Sequence, residues 1–198
     1  MKNILIIGNC RAGKTLMARA LMQRMPHMAF IGTDHMRSAI MKTLLHDVTD
    51  FENDPQCATF DAQWGSRLIE INKRFFISHI RSYNQDNKFF IMEGGVIKFD
   101  DAAEFINDPR ILIVCVGKPQ LDADAYYNDI RAWDQKHHTW TTEHTDVDVR
   151  GLAEKYARES RSNFEKCLAA GVIFVDTSFN QMAVIDAAAD QISTIATQ

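Results

Sequence analysis

The chain has 198 residues, a length typical of one globular domain. Its hydrophobic fraction of 46% and charged fraction of 24% argue against disordered and fibrous classes, and no apolar run approaches the roughly 18 residues of a membrane span. The net charge of -4 disfavours a nucleic-acid partner. The N-terminal apolar run is short and lacks a cleavage site, and the four cysteines (Cys10, Cys57, Cys115, Cys167) form no CxxC pair. We therefore expect a cytoplasmic protein with reduced thiols.

Five short apolar runs predict buried strands, and they cover residues 3–8, 27–32, 88–93, 110–117 and 172–178. Continuous apolar runs of this length fit strands that are buried on both faces. Amphipathic stretches between the runs predict helices over residues 14–25, 35–46, 60–82, 149–169 and 181–195. The alternation of strand and helix predicts an α/β fold with a parallel sheet that is covered on both faces.

Two polar segments interrupt this pattern. Residues 47–59 are acidic and rich in turn-forming residues, and residues 118–148 carry many polar, histidine and aromatic side chains. We expect both to be excursions from the compact core. Long polar segments in small domains are typically lids or binding loops.

Residues 8–15 read GNCRAGKT, which matches the phosphate-loop pattern GxxxxGK[ST]. A predicted buried strand precedes these residues and a predicted helix follows them. Glycines let such a loop curl so that its N–H groups converge on an anion, and the helix N-terminus adds partial positive charge. The Lys14 ammonium can reach the outer phosphates, and we expect this side chain to be exposed in the protein without nucleotide. The Thr15 hydroxyl can bind a magnesium ion. The predicted nucleotide-binding residues are Gly8, Asn9, Cys10, Arg11, Ala12, Gly13, Lys14, Thr15 and Leu16.

The chain resembles the small P-loop kinases in its phosphate loop, its overall length, its alternation of strands and helices, and its polar insertion. That group includes nucleoside monophosphate kinases, shikimate and gluconate kinases, and polynucleotide-kinase-like enzymes. The resemblance implies a three-layer P-loop fold with a five-stranded parallel sheet, in which the first and third strands are neighbours. It also implies one domain over residues 1–198, with an acceptor-side insertion at about 35–85 and a lid at about 118–148. ATP, Mg²⁺ and a small-molecule acceptor are the implied ligands.

Asp34 and Arg37 follow the second predicted strand as D-x-x-R, a pattern that resembles the acceptor site of kinases acting on hydroxyl groups. A carboxylate at this strand end can accept the proton of the acceptor hydroxyl or orient that hydroxyl. Arg37 lies one helical turn later and can bind an anionic group of the acceptor through two hydrogen bonds. Asp34 could also cap the helix that follows it, and the two roles are compatible.

Glu93 and Arg67 are two further candidates for the acceptor side. Glu93 ends the third predicted strand and precedes two glycines. In the resembled kinases an acid at this point, more often aspartate, orients magnesium-bound water or contacts the acceptor. Arg67 shares one face of its predicted helix with Arg74 and Arg81. Because Arg67 is nearest the helix start, it is the predicted substrate residue, whereas Arg74 and Arg81 fit a solvated stripe.

Arg131 is the predicted catalytic arginine of the lid that the resemblance implies. An arginine there would neutralise charge on the transferring phosphoryl group and help to exclude water. The alternative is a surface helix arginine paired with Asp129 or Asp134. Arg158 and Arg161, on the next predicted helix, could supplement it or take its place.

The leading functional hypothesis is an ATP- and Mg²⁺-dependent phosphotransferase that moves the γ-phosphate to a small hydroxyl or phosphate acceptor. A nucleoside, a nucleotide or a sugar acid would satisfy the acceptor pattern. A regulatory GTPase would need an N-K-x-D motif after the fourth strand, where residues 117–120 read GKPQ. A toxin-like P-loop kinase shares the D-x-x-R pattern. A catalytically silent nucleotide-binding partner is the fourth hypothesis, against which the intact Lys14, Thr15 and Asp34 argue.

Overall fold

Strands and helices alternate along the chain, as the sequence predicts. The computed structural model describes residues 1–44, 55–86, 88–137 and 139–198, without the side chains of residues 41–44 and 55–68. The strands are β1 (Asn3–Gly8), β2 (Ala29–Gly32), β3 (Phe90–Glu93), β4 (Ile111–Gly117) and β5 (Ile173–Asp176). The helices are α1 (Lys14–Arg24), α2 (Thr33–Leu44), α3 (Pro55–Gln85), α4 (Phe99–Ala102), α5 (Ala123–Asp134), α6 (Asp146–Ala170) and α7 (Gln181–Thr197). Residues 47–54 of the predicted acidic excursion lie outside the described part.

The strands form one parallel sheet in the order β2-β3-β1-β4-β5. The prediction that the first and third strands are neighbours is confirmed, because Ile6 of β1 is paired with Glu93 of β3. Gly32 at the end of β2 is also paired with Glu93. The carboxyl ends of β1, β2 and β3 therefore meet at one edge, which is where open α/β sheets bind ligands.

Side chains of β1 alternate between two layers of helices. Ile4 and Ile6 are fully buried in a cluster formed with α1 and α7. Leu5 and Ile7 point to the opposite face and pack in a second cluster, which includes Phe76 of α3. Because successive side chains of a strand point to opposite faces, one continuous apolar run supplies both cores. The predicted three-layer α/β architecture is confirmed.

The polar segment 118–148, which we expected to be an excursion from the core, contains helix α5, which was not among the predicted helices. Tyr126 and Ile130 of α5 are fully buried against Val149 and Ala153 of α6. The helix is well capped, since the Asp122 carboxylate accepts a hydrogen bond from the N–H of Ala125. Only a narrow face of α5 is apolar, which explains why the composition of the segment suggested a loop.

Several element ends also differ slightly from their predicted positions. Helix α3 extends beyond the predicted 60–82 at both ends, and α2 begins at Thr33 rather than at residue 35. Gly171 ends α6 in a left-handed conformation (φ 66°), as predicted. Cys10, Cys115 and Cys167 are free thiols. Within the described ranges, no helix has the length and apolar character needed to traverse a bilayer.

Candidate functional site

The phosphate-loop motif connects the end of β1 to the start of α1. Gly8 has φ 137°, and a Cβ atom there would collide with the carbonyl oxygen of Val116 on the neighbouring strand β4. Only glycine combines this backbone conformation with so close an approach. The loop therefore leaves the sheet edge in a sharp turn and delivers Lys14 and Thr15 to the first turn of α1.

Three carbonyl groups of the loop accept hydrogen bonds from side chains, two of which come from other elements. The Tyr126 hydroxyl donates to the carbonyl oxygen of Cys10 (3.0 Å), and the Thr177 hydroxyl donates to that of Ala12 (2.7 Å). The Lys14 ammonium donates to the carbonyl oxygen of Asn9 (2.8 Å). The loop is thus fixed by α5, by the residue that follows β5, and by its own lysine.

Lys14 is buried, with only 8% of its surface exposed, which corrects an expectation from the sequence. A phosphate-loop lysine is expected to be exposed in the empty protein, but here the side chain folds back onto the loop. Burial lowers the pKa of Lys14, while the nearby carboxylates of Asp34 and Glu93 oppose that shift. The two carboxylates therefore lie within electrostatic range of the ammonium.

Thr15 and Glu93 form an oxygen pair beside the loop. The Thr15 hydroxyl donates to the Glu93 carboxylate across 3.3 Å. Glu93 is buried, and this burial raises the pKa of its carboxyl group, although the charge of Lys14 acts in the opposite direction. A hydroxyl and a carboxylate are oxygen ligands of the kind that Mg²⁺ prefers, so the donor set fits this ion.

Asp34 approaches the same site from the first turn of α2. Its Oδ1 atom accepts a hydrogen bond from the N–H of Gly95 (3.1 Å), which follows β3. Gly94 has φ 146°, and a Cβ atom there would collide with the hydroxyl of Thr33. Because α2 begins at Thr33, Asp34 bridges two strand ends instead of standing before the helix as its cap.

These groups line a single cavity of about 220 Å³ above the phosphate loop. Eight of its lining residues were predicted from the sequence: Cys10, Arg11, Gly13, Lys14, Thr15, Leu16, Asp34 and Glu93. The structure therefore brings the predicted donor residues and both predicted carboxylates together. Asn9 and Ala12 are buried in the loop beneath the cavity.

Two predicted arginines, Arg37 and Arg131, are not among the described residues that line the cavity. Arg37 is exposed on α2, and the side chain of Arg67 lies outside the described part. Arg131 donates to the carbonyl oxygens of Thr141 (3.1 Å) and His144 (2.9 Å) and to the Asp146 carboxylate (2.7 Å). Arg131 also forms an ion pair with Asp134 (Nη1 to Oδ2, 3.6 Å), which agrees with the alternative of a helix arginine paired with Asp134, although the carboxylate of Asp146 is closer.

Four further lining residues were not predicted from the sequence: Lys118, Asp129, Trp133 and Gln181. Lys118 is buried and its ammonium donates to the Asp129 carboxylate (2.5 Å). A signal for Lys118 was available, since it follows β4 at the same sheet edge as the phosphate loop. The others come from α5 and α7, whose periodicity does not reveal which residues meet the loop.

The fold is shared with solved kinases of low sequence identity, whereas no protein-family model and no curated protein sequence matches the chain. Shikimate kinase from Bacteroides thetaiotaomicron is 16% identical, with a TM-score of 0.61 over 100% of this chain and 99% of its own. Shikimate kinase from Acinetobacter baumannii, solved with shikimate, is 14% identical, with a TM-score of 0.60 over 100% and 93%. A gluconokinase from Sinorhizobium meliloti 1021 is 12% identical, with a TM-score of 0.50 over 98% and 94%. The chain therefore has the α/β fold of the P-loop kinases.

Proposed function

We propose that this protein is an ATP- and Mg²⁺-dependent kinase that transfers the γ-phosphoryl group to a hydroxyl of a small molecule. The observation that carries the proposal is the shared cavity of Lys14, Thr15, Asp34 and Glu93. In this cavity the phosphate loop lies beside two oxygen groups that could bind a metal ion and beside a carboxylate that could accept a proton, which supports the proposal. Phosphoryl transfer depends mainly on such positioning and on charge stabilisation.

The donor side consists of the loop and the first turn of α1. The backbone N–H groups of the loop and the Lys14 ammonium would bind the phosphates of ATP. Lys14 would exchange its present partner, the carbonyl oxygen of Asn9, for a phosphate oxygen. Thr15 and Glu93 would hold Mg²⁺, which when bound neutralises charge on the β- and γ-phosphates.

The acceptor side is organised by Asp34. The hydrogen bond from Gly95 holds its Oδ1 atom and leaves Oδ2 for the acceptor hydroxyl. As the acceptor oxygen bonds to the γ-phosphorus, the bond to the leaving ADP oxygen breaks and the hydroxyl proton passes to Asp34.

An anionic group on the acceptor would bind to exposed Arg37, with Arg67 as a second candidate. The shikimate kinases and the gluconokinase that share the fold act on small hydroxy acids, which supports a sugar-acid-type acceptor. Nucleosides and nucleotides offer a hydroxyl as well, and nucleotides also an anion, so they belong in the same panel.

A two-stage screen tests the proposal. A thermal-shift assay with AMP-PNP, Mg²⁺ and a panel of hydroxy acids, nucleosides and nucleotides identifies acceptors, because a ligand of the native state raises the Tm. Each hit is then incubated with ATP, and the phosphorylated acceptor is measured by mass spectrometry. We expect stoichiometric ADP and phosphorylated acceptor with the wild type and neither product with Lys14→Met. An acceptor that raises the Tm but is never phosphorylated would indicate a nucleotide-binding protein without transferase activity.

A further inference from the structure

Arg11 is a phosphate-loop residue whose side chain is turned toward helix α5. It adopts a left-handed backbone conformation (φ 63°), which is uncommon for a residue other than glycine. Its Nη2 atom donates to the Asp134 carboxylate (3.2 Å) and to the Thr141 hydroxyl (2.7 Å), and it also contacts the Thr139 hydroxyl. The side chain is only 14% exposed and lines the same cavity as Lys14.

Asp134 is a charged group in a buried position. Its side chain is 5% exposed, and its Oδ1 atom accepts hydrogen bonds from the hydroxyls of Thr139 (2.6 Å) and Thr141 (2.7 Å). Burial acts to raise the pKa of Asp134, but these hydrogen bonds and the charges of Arg11 and Arg131 outweigh it, so the pKa lies below its usual range. Asp134 is therefore ionised at neutral pH, and it holds the guanidinium through charge.

The pairing of Arg11 with Asp134 is geometrically incomplete. Nε of Arg11 is buried and has no hydrogen-bond partner in the described part of the chain, and Oδ2 of Asp134 has only a long ion pair with Arg131 (3.6 Å). The ion pair joins single atoms at 3.2 Å, whereas charge-assisted pairs favour about 2.7–2.9 Å and often two parallel bonds. Arg24 illustrates the difference, since its Nε and Nη2 atoms each reach a carboxylate at 2.6 Å. Arg11 therefore has unused donor capacity.

A nucleotide phosphate would supply what this guanidinium lacks. Each phosphate carries several acceptor oxygens and a higher charge than a carboxylate, and arginine binds it through two parallel hydrogen bonds. Lys14, the other cation of the loop, is likewise bonded to a protein acceptor in this structure. Both cations thus have protein partners that a polyphosphate bound in the cavity could replace.

We propose that Arg11 is a second phosphate-binding cation of the donor site and that Asp134 competes with the nucleotide for its guanidinium. The inference rests on the proposed function, because it requires a nucleotide in the cavity. Binding of the polyphosphate transfers Arg11 from Asp134 to phosphate oxygens. Asp134 thereby weakens nucleotide binding. Only a highly charged ligand such as a polyphosphate can replace its carboxylate as the partner of Arg11.

The test compares the affinity of the full-length protein for Mg²⁺–AMP-PNP, measured by isothermal titration calorimetry, in two variants. Asp134→Asn keeps the size of the side chain but removes the competing charge, so we expect Kd to fall about fivefold or more. Arg11→Gln removes the guanidinium, so we expect Kd to rise roughly tenfold. In the double variant, Asp134→Asn should no longer improve affinity, because its effect needs Arg11.

Asp124→Asn is the matched control. Asp124 also lies on α5, and its exposed carboxylate pairs with Arg150 of α6 (3.0 Å), away from the phosphate loop. We expect its Kd to equal that of the wild type. If Asp134→Asn does not fold, Thr141→Val replaces it, since the Thr141 hydroxyl bonds to both Arg11 and Asp134. That variant should also tighten nucleotide binding.

The possible results separate this inference from the proposed function. A wild-type protein that binds no nucleotide would contradict both. If the wild type binds nucleotide but both single variants bind it more weakly, the Arg11–Asp134 pair only supports the structure and the inference is wrong. Opposite changes in Kd, lost in the double variant, are the result that a purely structural ion pair cannot give.

Discussion

The Thr15 hydroxyl and the Glu93 carboxylate, 78 residues apart in the chain, meet across a hydrogen bond of 3.3 Å. This contact joins the first turn of α1 to the end of β3. It sets a carboxylate beside the phosphate loop in a buried position, where its charge is costly without a cation. We therefore expect substitution of Glu93 to change both the stability of the protein without ligands and its proposed binding of Mg²⁺.

Glu93→Gln should raise the Tm at pH 7. Burial holds the pKa of Glu93 above its usual value of 4.5, so the folded protein binds this proton more tightly than the unfolded chain does. The ionised carboxylate therefore destabilises the fold at pH 7, and this penalty is lost as the pH falls through the folded-state pKa. Calorimetry should show that the gain in Tm shrinks toward about pH 4. A gain that grows on acidification would contradict the assigned shift.

Glu93→Gln should also weaken the effect of magnesium. In the presence of AMP-PNP, Mg²⁺ should raise the Tm of the wild type more than that of the variant, because a neutral amide is a poorer ligand than a carboxylate. Glu104→Gln, which removes a more exposed acid paired with Arg81, is the control and should respond like the wild type. Equal magnesium effects in all three proteins would rule out Glu93 as a metal ligand.

Lys14→Met should abolish transfer without loss of stability. Methionine fills most of the buried volume, whereas alanine would leave a cavity. Because burial holds the pKa of Lys14 below its usual value of 10.5, the charged ammonium destabilises the fold at pH 7. Lys14→Met removes this penalty, so it should raise the Tm at pH 7. Because the penalty disappears as the pH rises toward the pKa of lysine in the unfolded chain, the increase in Tm should be larger at pH 7 than at about pH 10. Lys136→Met, at an exposed lysine, should change neither the Tm nor transfer.

Asp34→Asn should separate catalysis from donor binding. Asparagine retains an oxygen for the N–H of Gly95 but cannot take a proton, so turnover should fall about a hundredfold to ten-thousandfold. The Kd for AMP-PNP should stay close to that of the wild type, because the loop builds the donor site. Steady-state kinetics and calorimetric titration measure the two quantities. Normal turnover would remove Asp34 from the mechanism and leave the phosphate loop unaffected.

Arg37→Ala should act mainly on acceptor binding. If this exposed arginine binds the anionic group of the acceptor, its loss raises KM for the acceptor more than it lowers kcat. Arg19→Ala, at an exposed arginine of α1, is a control that should leave both constants unchanged. Equal KM values for Arg37→Ala and the wild type would assign the anion to another residue, with Arg67 the next to test.

Lys118 and Asp129 should respond unequally to substitution, because their burial differs. The Lys118 side chain is 3% exposed and that of Asp129 is 39% exposed. Asp129→Asn leaves a buried ammonium without its charged partner, and we expect a loss of about 1.5–3 kcal/mol in the free energy of unfolding. Lys118→Met leaves a carboxylate that water can reach, so the loss should be below about 1 kcal/mol. Urea denaturation measures both, and equal losses would contradict the asymmetry.

The sequence predicted those parts of the molecule that depend on local order. Five apolar runs identified the strands, although β2 begins only at Ala29 because the preceding residues form a turn. Glu93 and Asp34 were found because each stands near the end of a strand, and parallel strands bring their carboxyl ends to one edge. The phosphate loop was found from its motif and its position between β1 and α1.

Contacts between elements that are distant in the chain could not be predicted from local sequence patterns. Burial of Lys14 depends on how the whole loop folds back, which a motif does not encode. Arg131 has the residue type and position of a lid arginine, yet its donors face carbonyl groups that follow α5. Trp133 reaches the cavity only because α5 packs on α6 in one particular orientation.

The three carbonyl groups that Tyr126, Thr177 and Lys14 hold have a consequence for selectivity. With these three carbonyl oxygens bonded within the protein, the loop keeps fewer acceptors of its own for a ligand in the cavity. A group that carries donors, such as an amine or a hydroxyl, would find its acceptors in the carboxylates of Asp34 and Glu93, which line the same cavity. A fully deprotonated oxyanion brings only acceptors and therefore suits the N–H groups of the loop and the Lys14 ammonium. The cavity thus separates the groups of a ligand by hydrogen-bond polarity, with oxyanions at the loop and hydroxyl groups at the two carboxylates.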